Sequence, residues 1–156
     1  GSTESELKER KHRVEDALAA TRAAKEEGVV PGGGTALLRS IEAVKAISKK
    51  AKGDEKLGVE LVAKALRRPC FTIAENAGFD GSVVVEDVLE AKGWVGFDAL
   101  AGKCVDMGKA GILDPAKVVR VALQNSGSIA GLLLTTNTLV TDVKDEKEGA
   151  IDGAIA

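Results

Sequence analysis

The chain has 156 residues, a formal net charge of −2, 44% apolar and 29% charged residues, which is an ordinary composition for one globular domain. The two signs of charge are interspersed and only 3% of residues are aromatic, so neither a basic face nor a stacking platform for nucleic acid is indicated. No apolar run approaches the roughly 20 residues of a membrane-spanning helix, and no signal peptide is visible. We therefore expect neither nucleic acid nor a membrane as a partner.

The cysteines and the single histidine limit the chemistry further. Cys70 and Cys104 are far apart and lack CxxC spacing, which argues against a disulfide framework and fits a reducing compartment. A structural zinc site would need more ligands than these two and His12, so no metal site is expected. His12 lies in a run of charges, so no Ser-His-Asp or Cys-His set is indicated.

The first predicted helix begins at a capping box, Thr3-Glu4-Ser5-Glu6, and runs to about Glu27, before Gly28. Its narrow apolar stripe is typical of a partly solvated connector and comprises Leu7, Val14, Leu18 and Thr21. Residues 29–31 are extended, because a residue before proline avoids the α region. A second helix follows over about 35–50, with an apolar face of Leu37, Leu38, Ile41, Val44 and Ile47.

A third helix is predicted over about 55–76, and Pro69 should kink or split it. Its predicted buried side comprises Leu57, Leu61, Val62, Ala65, Leu66, Ile73 and Ala77. Ser82 is placed to cap a fourth helix that runs to about Ala91. Two short strands, 94–99 and 103–105, then flank a turn.

The last elements begin where Asp106 can cap a short helix ending at Gly111. Asp114-Pro115 predicts a helix start, with Asp at the N-cap and Pro at the first helical position, and the helix runs to about Thr136. Small residues at 125–131 predict close helix contacts, and 139–143 predicts a final strand. We expect residues 144–156 to be a disordered tail. Helices dominate, so the predicted class is mainly α.

The clearest candidate site is the triple glycine Gly32-Gly33-Gly34, which precedes a predicted helix. Helix N-termini attract anions, and glycines let a ligand approach the backbone. However, neither GxxxxGK[ST] nor GxGxxG is present. Spacing alone leaves phosphate contact open, and a plain corner with unusual φ values is the default interpretation.

Three carboxylates have simpler interpretations from the pattern alone. Asp16 points away from the apolar stripe of its helix and is explained as a solvated side chain. Asp98 lies at the end of a strand, where a turn residue is expected. Asp114 already has a structural role as the predicted N-cap.

The chain nevertheless resembles one family. Residues 13–39, RVEDALAATRAAKEEGVVPGGGTALLR, are similar to the stretch of group I (GroEL-type) chaperonins that leads from the intermediate into the equatorial domain. Residues 96–142, GFDALAGKCVDMGKAGILDPAKVVRVALQNSGSIAGLLLTTNTLVTD, resemble the C-terminal equatorial segment of that family. IAENAGFDGSVVVEDVL, residues 73–89, fits between them. The resemblance extends over roughly residues 6–142, in order and without large gaps.

This resemblance implies a fold and a domain plan. It implies a helical bundle of the equatorial-domain type with a small β-hairpin and a short C-terminal strand, preceded by a long connector helix. Residues 1–27 would be the last helix of the intermediate domain, with Gly1-Ser2 interpreted as a cloning remnant. Residues 28–143 would be the C-terminal part of the equatorial ATPase domain, and 144–156 the tail.

The resemblance also implies roles for particular residues. Asp16, in RVEDAL, matches the carboxylate that closes over the nucleotide and orients the attacking water. Gly33 matches a backbone contact to the nucleotide. Asp98, Ala99 and Leu100 match the stretch beside the base and ribose, where the family commonly has Asn-Ala-Ala. Asp114, in ILDP, matches the carboxylate at the ribose hydroxyls.

The intact parent is expected to use ATP with Mg and K and to form heptameric rings with other chaperonin subunits. Its co-chaperonin and unfolded clients would contact parts of the subunit that this sequence does not match, and its compartment would be the bacterial cytoplasm or an organelle matrix or stroma. The Gly-Asp-Gly-Thr-Thr phosphate loop and the metal-binding Asp of the family also have no match here. We therefore expect little ATPase activity, no tight nucleotide binding, and self-association through exposed apolar faces. The alternative is an autonomous assembly module that never handles nucleotide.

Overall fold

The structure is a computed structural model that describes residues 3–141. Its elements in chain order are α1 (Glu4–Glu27), β1 (Val29–Pro31), α2 (Thr35–Ser48), α3 (Gly53–Ala65), α4 (Arg68–Asn76), α5 (Gly81–Glu90), β2 (Val95–Asp98), β3 (Lys103–Asp106), α6 (Met107–Ala110), β4 (Leu113–Pro115) and α7 (Ala116–Leu134). The mainly helical prediction is confirmed. The chain divides into two units, residues 1–122 and 123–156. Helix α7 begins in the first unit and ends in the second.

Helix α1 forms as its sequence predicts. The Thr3 hydroxyl accepts a hydrogen bond from the Glu6 amide at 3.2 Å, which caps the first turn. The Gly28 amide donates to the Ala24 carbonyl at 2.8 Å, and a φ of 80° at Gly28 ends the helix. No residue of α1 is buried, so its apolar stripe is exposed to solvent. The helix is stabilised locally by pairs four residues apart, such as Lys8 with Glu4 at 2.8 Å.

The main core lies between α2, α4, α5 and strand β2. Its buried residues are Leu38, Ile41, Leu66, Cys70, Ala74, Val84, Val85, Val88 and Phe97. The ring of Phe79 packs edge-on against that of Phe97, with centroids 5.2 Å apart. This cluster holds β2 against α2 and α5 and so fixes the position of the β2–β3 hairpin.

The predicted third helix is split, and four of its seven predicted buried residues, Leu57, Leu61, Val62 and Ala65, are exposed. The break falls at Leu66 and Arg67, and Pro69 lies in the first turn of α4, where its missing N–H costs no helical bond. Leu66 is buried in the core as predicted. However, Leu57, Leu61 and Val62 are 63%, 61% and 45% exposed, because the core is completed by α2, α4, α5 and β2 and no described residue covers this stripe of α3.

Strands β1 and β4 pair antiparallel, with Val29 opposite Pro115, Val30 opposite Asp114 and Pro31 opposite Leu113. This pairing corrects the predicted helix start, because Asp114 lies in a strand rather than at an N-cap and α7 begins only at Ala116. The Ala116 amide donates to the Gly28 carbonyl at 3.0 Å, which extends the ladder to the end of α1. Residues more than 80 positions apart make this sheet, so no local pattern predicts it.

Two smaller predictions are also corrected, and a third is not tested. Asp80, not Ser82, caps α5, with its Oδ1 accepting from the Ser82 amide at 2.8 Å and the Val83 amide at 3.2 Å. The close helix contacts predicted for residues 125–131, which lie in the second unit, stay a prediction. Residues 139–141 form no strand, whereas the rest of the predicted strand and the predicted tail lie outside the described residues.

The two cysteines are free thiols, Cys70 buried and Cys104 exposed. Over the described range, no helix is both long enough and apolar enough to cross a membrane. Residues 3–141 also contain no cluster of three or more His, Cys, Asp or Glu side chains placed to hold a metal ion.

Candidate functional site

The glycine turn, residues Gly32–Gly34, joins β1 to α2 and contacts several segments that are distant in sequence. The Gly32 amide donates to the Ile112 carbonyl at 3.0 Å, directly before β4. A Cβ at Gly33 would lie 3.3 Å from the Phe97 carbonyl oxygen and 3.1 Å from Met107 Cε. The glycine turn therefore lies against both the segment that leads to Asp114 and the strand that ends at Asp98.

The backbone of the glycine turn needs glycine at two positions. Gly33 and Gly34 have φ values of 64° and 75°, in the left-handed region. A Cβ at Gly34 would lie only 2.6 Å from the Cys70 amide nitrogen. The corner interpretation is thus confirmed. Gly34 is also the N-cap residue of α2. Because glycine has no side chain, no N-cap side-chain oxygen accepts hydrogen bonds from the backbone N–H groups in the first turn of this helix.

Asp98 organises the turn between β2 and β3. Its Oδ1 accepts hydrogen bonds from the Leu100 amide at 2.9 Å and the Ala101 amide at 3.1 Å. The Gly102 amide donates to the Asp98 carbonyl at 2.8 Å and closes the turn. Ala99 packs against the core, whereas Leu100 is 99% exposed at the tip. The predicted turn role of Asp98 is confirmed, and an Asn could make the same two Oδ1 contacts.

Asp114 is half-buried in β4, opposite Val30. Its carboxylate makes no hydrogen bond or ion pair with any other residue in the described part of the chain. Asp114 follows Ile112 by two residues, and the Ile112 carbonyl accepts the hydrogen bond from the Gly32 amide. Pairing with Val30 in the ladder fixes the backbone position of Asp114. The β1–β4 ladder thus holds Asp114 near the glycine turn and leaves its carboxylate oxygens available.

Asp16 is not brought to the same place. It lies on the exposed middle of α1, three turns before Glu27 and roughly 16 Å along the helix axis from that end. The structure therefore draws together the segments that carry Gly33, Asp98, Ala99 and Asp114 but leaves Asp16 far along α1. Two surface pockets, of about 330 and 240 Å³, are lined by other residues and include none of the six predicted site residues.

The comparison with known families decides the identity of the chain. The sequence profile of the TCP-1/cpn60 chaperonin family matches residues 1–144. The chain belongs to the TCP-1/cpn60 chaperonin family. A crystal structure of a group III chaperonin in the open state is similar at 33% sequence identity, with a TM-score of 0.80. That match covers 88% of this chain and 29% of the other, so this chaperonin chain spans less than a third of that subunit's length.

Arg39 fixes the position of the hairpin in this chaperonin chain, and the sequence reasoning missed it. Its guanidinium donates to three carbonyl oxygens, those of Gly93 at 3.2 Å, Leu89 at 3.4 Å and Val95 at 3.0 Å. Leu89 lies near the end of α5, Gly93 lies in the loop that follows, and Val95 is the first residue of β2. The only sequence signal was an arginine between the core residues Leu38 and Ile41, which is compatible with many roles.

Two ion pairs join the end of α1 to the start of α7 in the chaperonin chain. Glu26 pairs with Lys117, and Glu27 accepts two hydrogen bonds from Arg120, with Oε2 3.0 Å from Nε and Oε1 2.6 Å from Nη2. The hydrogen bonds from Arg120 hold the pKa of Glu27 below its usual value. With the β1–β4 ladder, these pairs hold the end of α1 beside the start of α7 in this conformation of the chain.

The buried thiol of Cys70 shows the character of the core beside the glycine turn. Burial raises the pKa of Cys70, and the neighbouring Cys104 thiol raises it further. Burial also raises the pKa of Cys104, and the negative charge of Asp87 raises it further. A raised pKa disfavours the thiolate form of both cysteines, and Cys70 contributes to the core as a buried apolar side chain.

Proposed function

We propose that this chain is part of a group I (GroEL-type) chaperonin subunit and contributes one wall of its ATP site. The support for the group I type is the resemblance of residues 13–39 and 96–142 to that class. In this proposal α1 is the end of the intermediate domain and residues 28–143 belong to the equatorial domain. The parent subunit would assemble into heptameric rings with a co-chaperonin and unfolded clients, in a bacterial cytoplasm or an organelle matrix or stroma.

The observation that carries the nucleotide proposal is the double contact of the glycine turn. Gly32 is bonded to Ile112, two residues before Asp114, and Gly33 lies against the carbonyl of Phe97, one residue before Asp98. Three segments that are far apart in sequence therefore meet at the N-terminus of a 14-residue helix. A helix N-terminus provides N–H groups and a positive dipole end, which suit a phosphate.

The chemical types of the residues at this meeting point suit the parts of a nucleotide. The glycines leave the backbone open to a phosphate oxygen. The half-buried Asp114 carboxylate can accept from sugar hydroxyls, and the backbone at 98–100 can border the base. Magnesium, when bound with ATP, would neutralise phosphate charge; its ligands would come largely from the rest of the subunit.

Asp16 would act only after a movement. A carboxylate that orients the attacking water must lie within hydrogen-bond distance of it, and Asp16 lies far along α1 from the glycine turn. We propose that a swing of α1 about Gly28 brings Asp16 to the nucleotide once it is bound. Gly28, with φ 80°, is a suitable pivot because nothing lies within 4 Å of where its Cβ would be.

The test is reconstitution of ATP hydrolysis. The chain alone should show little turnover, and adding the remaining portion of a group I subunit should restore it. In the reconstituted protein, Asp16→Ala should lower kcat with nucleotide affinity kept, whereas Asp114→Ala should weaken nucleotide binding. Glu15→Ala is the matched control for Asp16, since Glu15 is exposed on the same helix.

The proposal fails if the reconstituted protein hydrolyses ATP equally well with Asp16→Ala and with Glu15→Ala. Tight Mg-ATP binding and turnover by the chain alone would contradict the statement that it is one part of a site. Calorimetric titration with Mg-ATP measures the binding, and phosphate release measures the turnover.

The second candidate function is an assembly module, and the exposed apolar side chains favour it. On α3, Leu57 and Leu61 are more than 60% exposed, and on α7 so are Leu132 and Leu134. Exposed apolar stripes of this kind mark association surfaces. We infer that the chain self-associates, and light scattering that shows only a compact monomer at tens of micromolar would contradict this. Binding to complete rings without any change in their ATP hydrolysis would favour the module over the split ATPase.

A further inference from the structure

A groove runs between helices α2 and α3, away from the glycine turn. It has a volume of about 330 Å³ and is lined by Ile41, Lys45, Ser48, Val59, Glu60, Ala63, Lys64 and Arg67. The lining residues of α2 follow one stripe, at positions 41, 45 and 48, and those of α3 follow another. Ile41, Val59 and Ala63 provide its apolar surface, and the longer polar side chains surround them.

The charge of the groove is predominantly positive. Three cations line it, Lys45, Lys64 and Arg67, against one carboxylate, Glu60. Glu60 is 3.8 Å from Lys56, outside the lining set, and Arg67 pairs with Glu86 on α5. Within residues 3–141, neither Lys45 nor Lys64 makes an ion pair. The groove therefore presents two uncompensated ammonium groups next to an apolar surface.

This local charge contrasts with the chain as a whole. Residues 42–68 contain eight Lys and Arg but only four Asp and Glu, whereas the full chain has a net charge of −2. This basic surface is not visible in the sequence, because both signs of charge are interspersed along the chain. Folding places three of them on the same groove, since α2 and α3 pack side by side.

We propose that this groove binds an acidic amphipathic peptide segment of a partner protein. An aliphatic side chain of the segment would occupy the surface formed by Ile41, Val59 and Ala63. Carboxylates on either side would contact Lys45 and Lys64, whose flexible stems can follow the ligand. An amphipathic segment laid along a groove between helices is an established mode of peptide recognition.

The observations favour a peptide over nucleic acid. The groove has no aromatic residue for base stacking, and its floor is apolar, which a phosphate backbone cannot use. An acidic peptide with aliphatic anchors uses both the apolar surface and the cations. Electrostatic complementarity would then select acidic over basic segments.

The test uses the whole chain and a defined probe. The probe is a fluorescein-labelled peptide with leucines at positions i, i+3, i+4 and i+7 and glutamates between them, and its binding is measured by fluorescence anisotropy. We expect saturable binding that weakens with salt. Lys45→Gln with Lys64→Gln should weaken it roughly tenfold, because two charge contacts are lost.

Matched controls separate the groove from general charge. Lys49→Gln with Lys50→Gln removes the same charge from exposed lysines outside the groove and should leave the affinity unchanged. A probe with serines in place of leucines, and one with lysines in place of glutamates, should both bind at least tenfold more weakly. Amide shifts in a ¹⁵N spectrum should concentrate on α2 and α3.

Several results would overturn the proposal. Equal loss of affinity in the two lysine pairs would assign the binding to overall charge. Equal binding of the serine probe would show that no aliphatic side chain of the peptide contacts Ile41, Val59 and Ala63. Effective competition by a single-stranded oligonucleotide of matched charge would assign the groove to nucleic acid, and no saturable binding of the glutamate probe would leave it without a ligand of this class.

Discussion

The packing around the glycine turn gives the sharpest test of the fold. Gly34 combines a φ of 75° with a Cβ position only 2.6 Å from the Cys70 amide nitrogen and 3.0 Å from its Cα. In Gly34→Ala, the left-handed backbone costs about 1–2 kcal/mol, and forcing backbone atoms apart costs about 1–3 kcal/mol more. The expected loss is about 2–5 kcal/mol in the free energy of unfolding, a large share of the about 5–15 kcal/mol of a typical domain.

Gly111 provides the matched control. Its φ is 73°, nearly the same as that of Gly34, but nothing lies within 4 Å of its Cβ position. Gly111→Ala should therefore lose only the backbone part, about 1–2 kcal/mol. Asn tolerates the left-handed region, so Gly111→Asn should cost less than Gly111→Ala, whereas Gly34→Asn should remain strongly destabilised by the contact with Cys70.

Urea unfolding followed by far-ultraviolet circular dichroism measures these differences. The emission of Trp94, the single tryptophan, reports separately on the hairpin that the glycine turn contacts. If Gly34→Ala and Gly111→Ala lose equal stability, the close approach of α4 to the glycine turn is not rigid and the packing argument is wrong.

Three further substitutions test other contacts. Arg39→Lys cannot reach three carbonyls at once and should cost about 2–3 kcal/mol with a change in Trp94 emission, measured in the same urea experiment; an unchanged emission would contradict the positioning role. Hydrogen bonds from Arg120 lower the pKa of Glu27 in the folded state. The Glu27 carboxylate therefore stabilises the fold at pH values above its ordinary pKa, and this stabilisation is lost as the pH falls through the lowered pKa of the folded state. Glu27→Gln should therefore lower the urea midpoint at neutral pH and in low salt, and the difference from the parent should disappear in acid; a difference independent of pH would refute this. Thr35→Ala removes a buried hydroxyl that has no hydrogen-bond partner within the described range and that packs against Gly96, so it should cost only about 1 kcal/mol or less in the free energy of unfolding, and a loss above about 2 kcal/mol would show that the hydroxyl has a partner.

The sequence predicted the elements whose signals are local. The capping box at Thr3, the break near Pro69 and the turn at Asp98 were all predicted, because each depends on a few neighbouring residues. The apolar face of α2 also identified core residues such as Leu38 and Ile41. Three consecutive glycines predicted a corner, and the positive φ values of Gly33 and Gly34 confirm it.

Local patterns failed where a partner elsewhere in the chain decided the outcome. Asp114-Pro115 has every feature of a helix start, but pairing with β1 makes it a strand. Leu57 and Leu61 form an apolar stripe, but the core is completed by residues of α4 and α5 instead, so α3 keeps that stripe exposed. Periodicity shows that a face is apolar but does not show what covers it.

For the candidate site, the sequence by itself determined the family resemblance and the residue types, since motifs such as GVVPGGGTALL and GILDPAKV are contiguous. Only the tertiary structure decided which of those residues lie together. The hydrogen bond from Gly32 to Ile112 and the contact of Gly33 with Phe97 join three distant segments, and α1 keeps Asp16 apart from them. The same holds for the cations of the groove between α2 and α3. Long-range closure of the chain depends on the total packing of the core, and no short stretch of sequence contains that information.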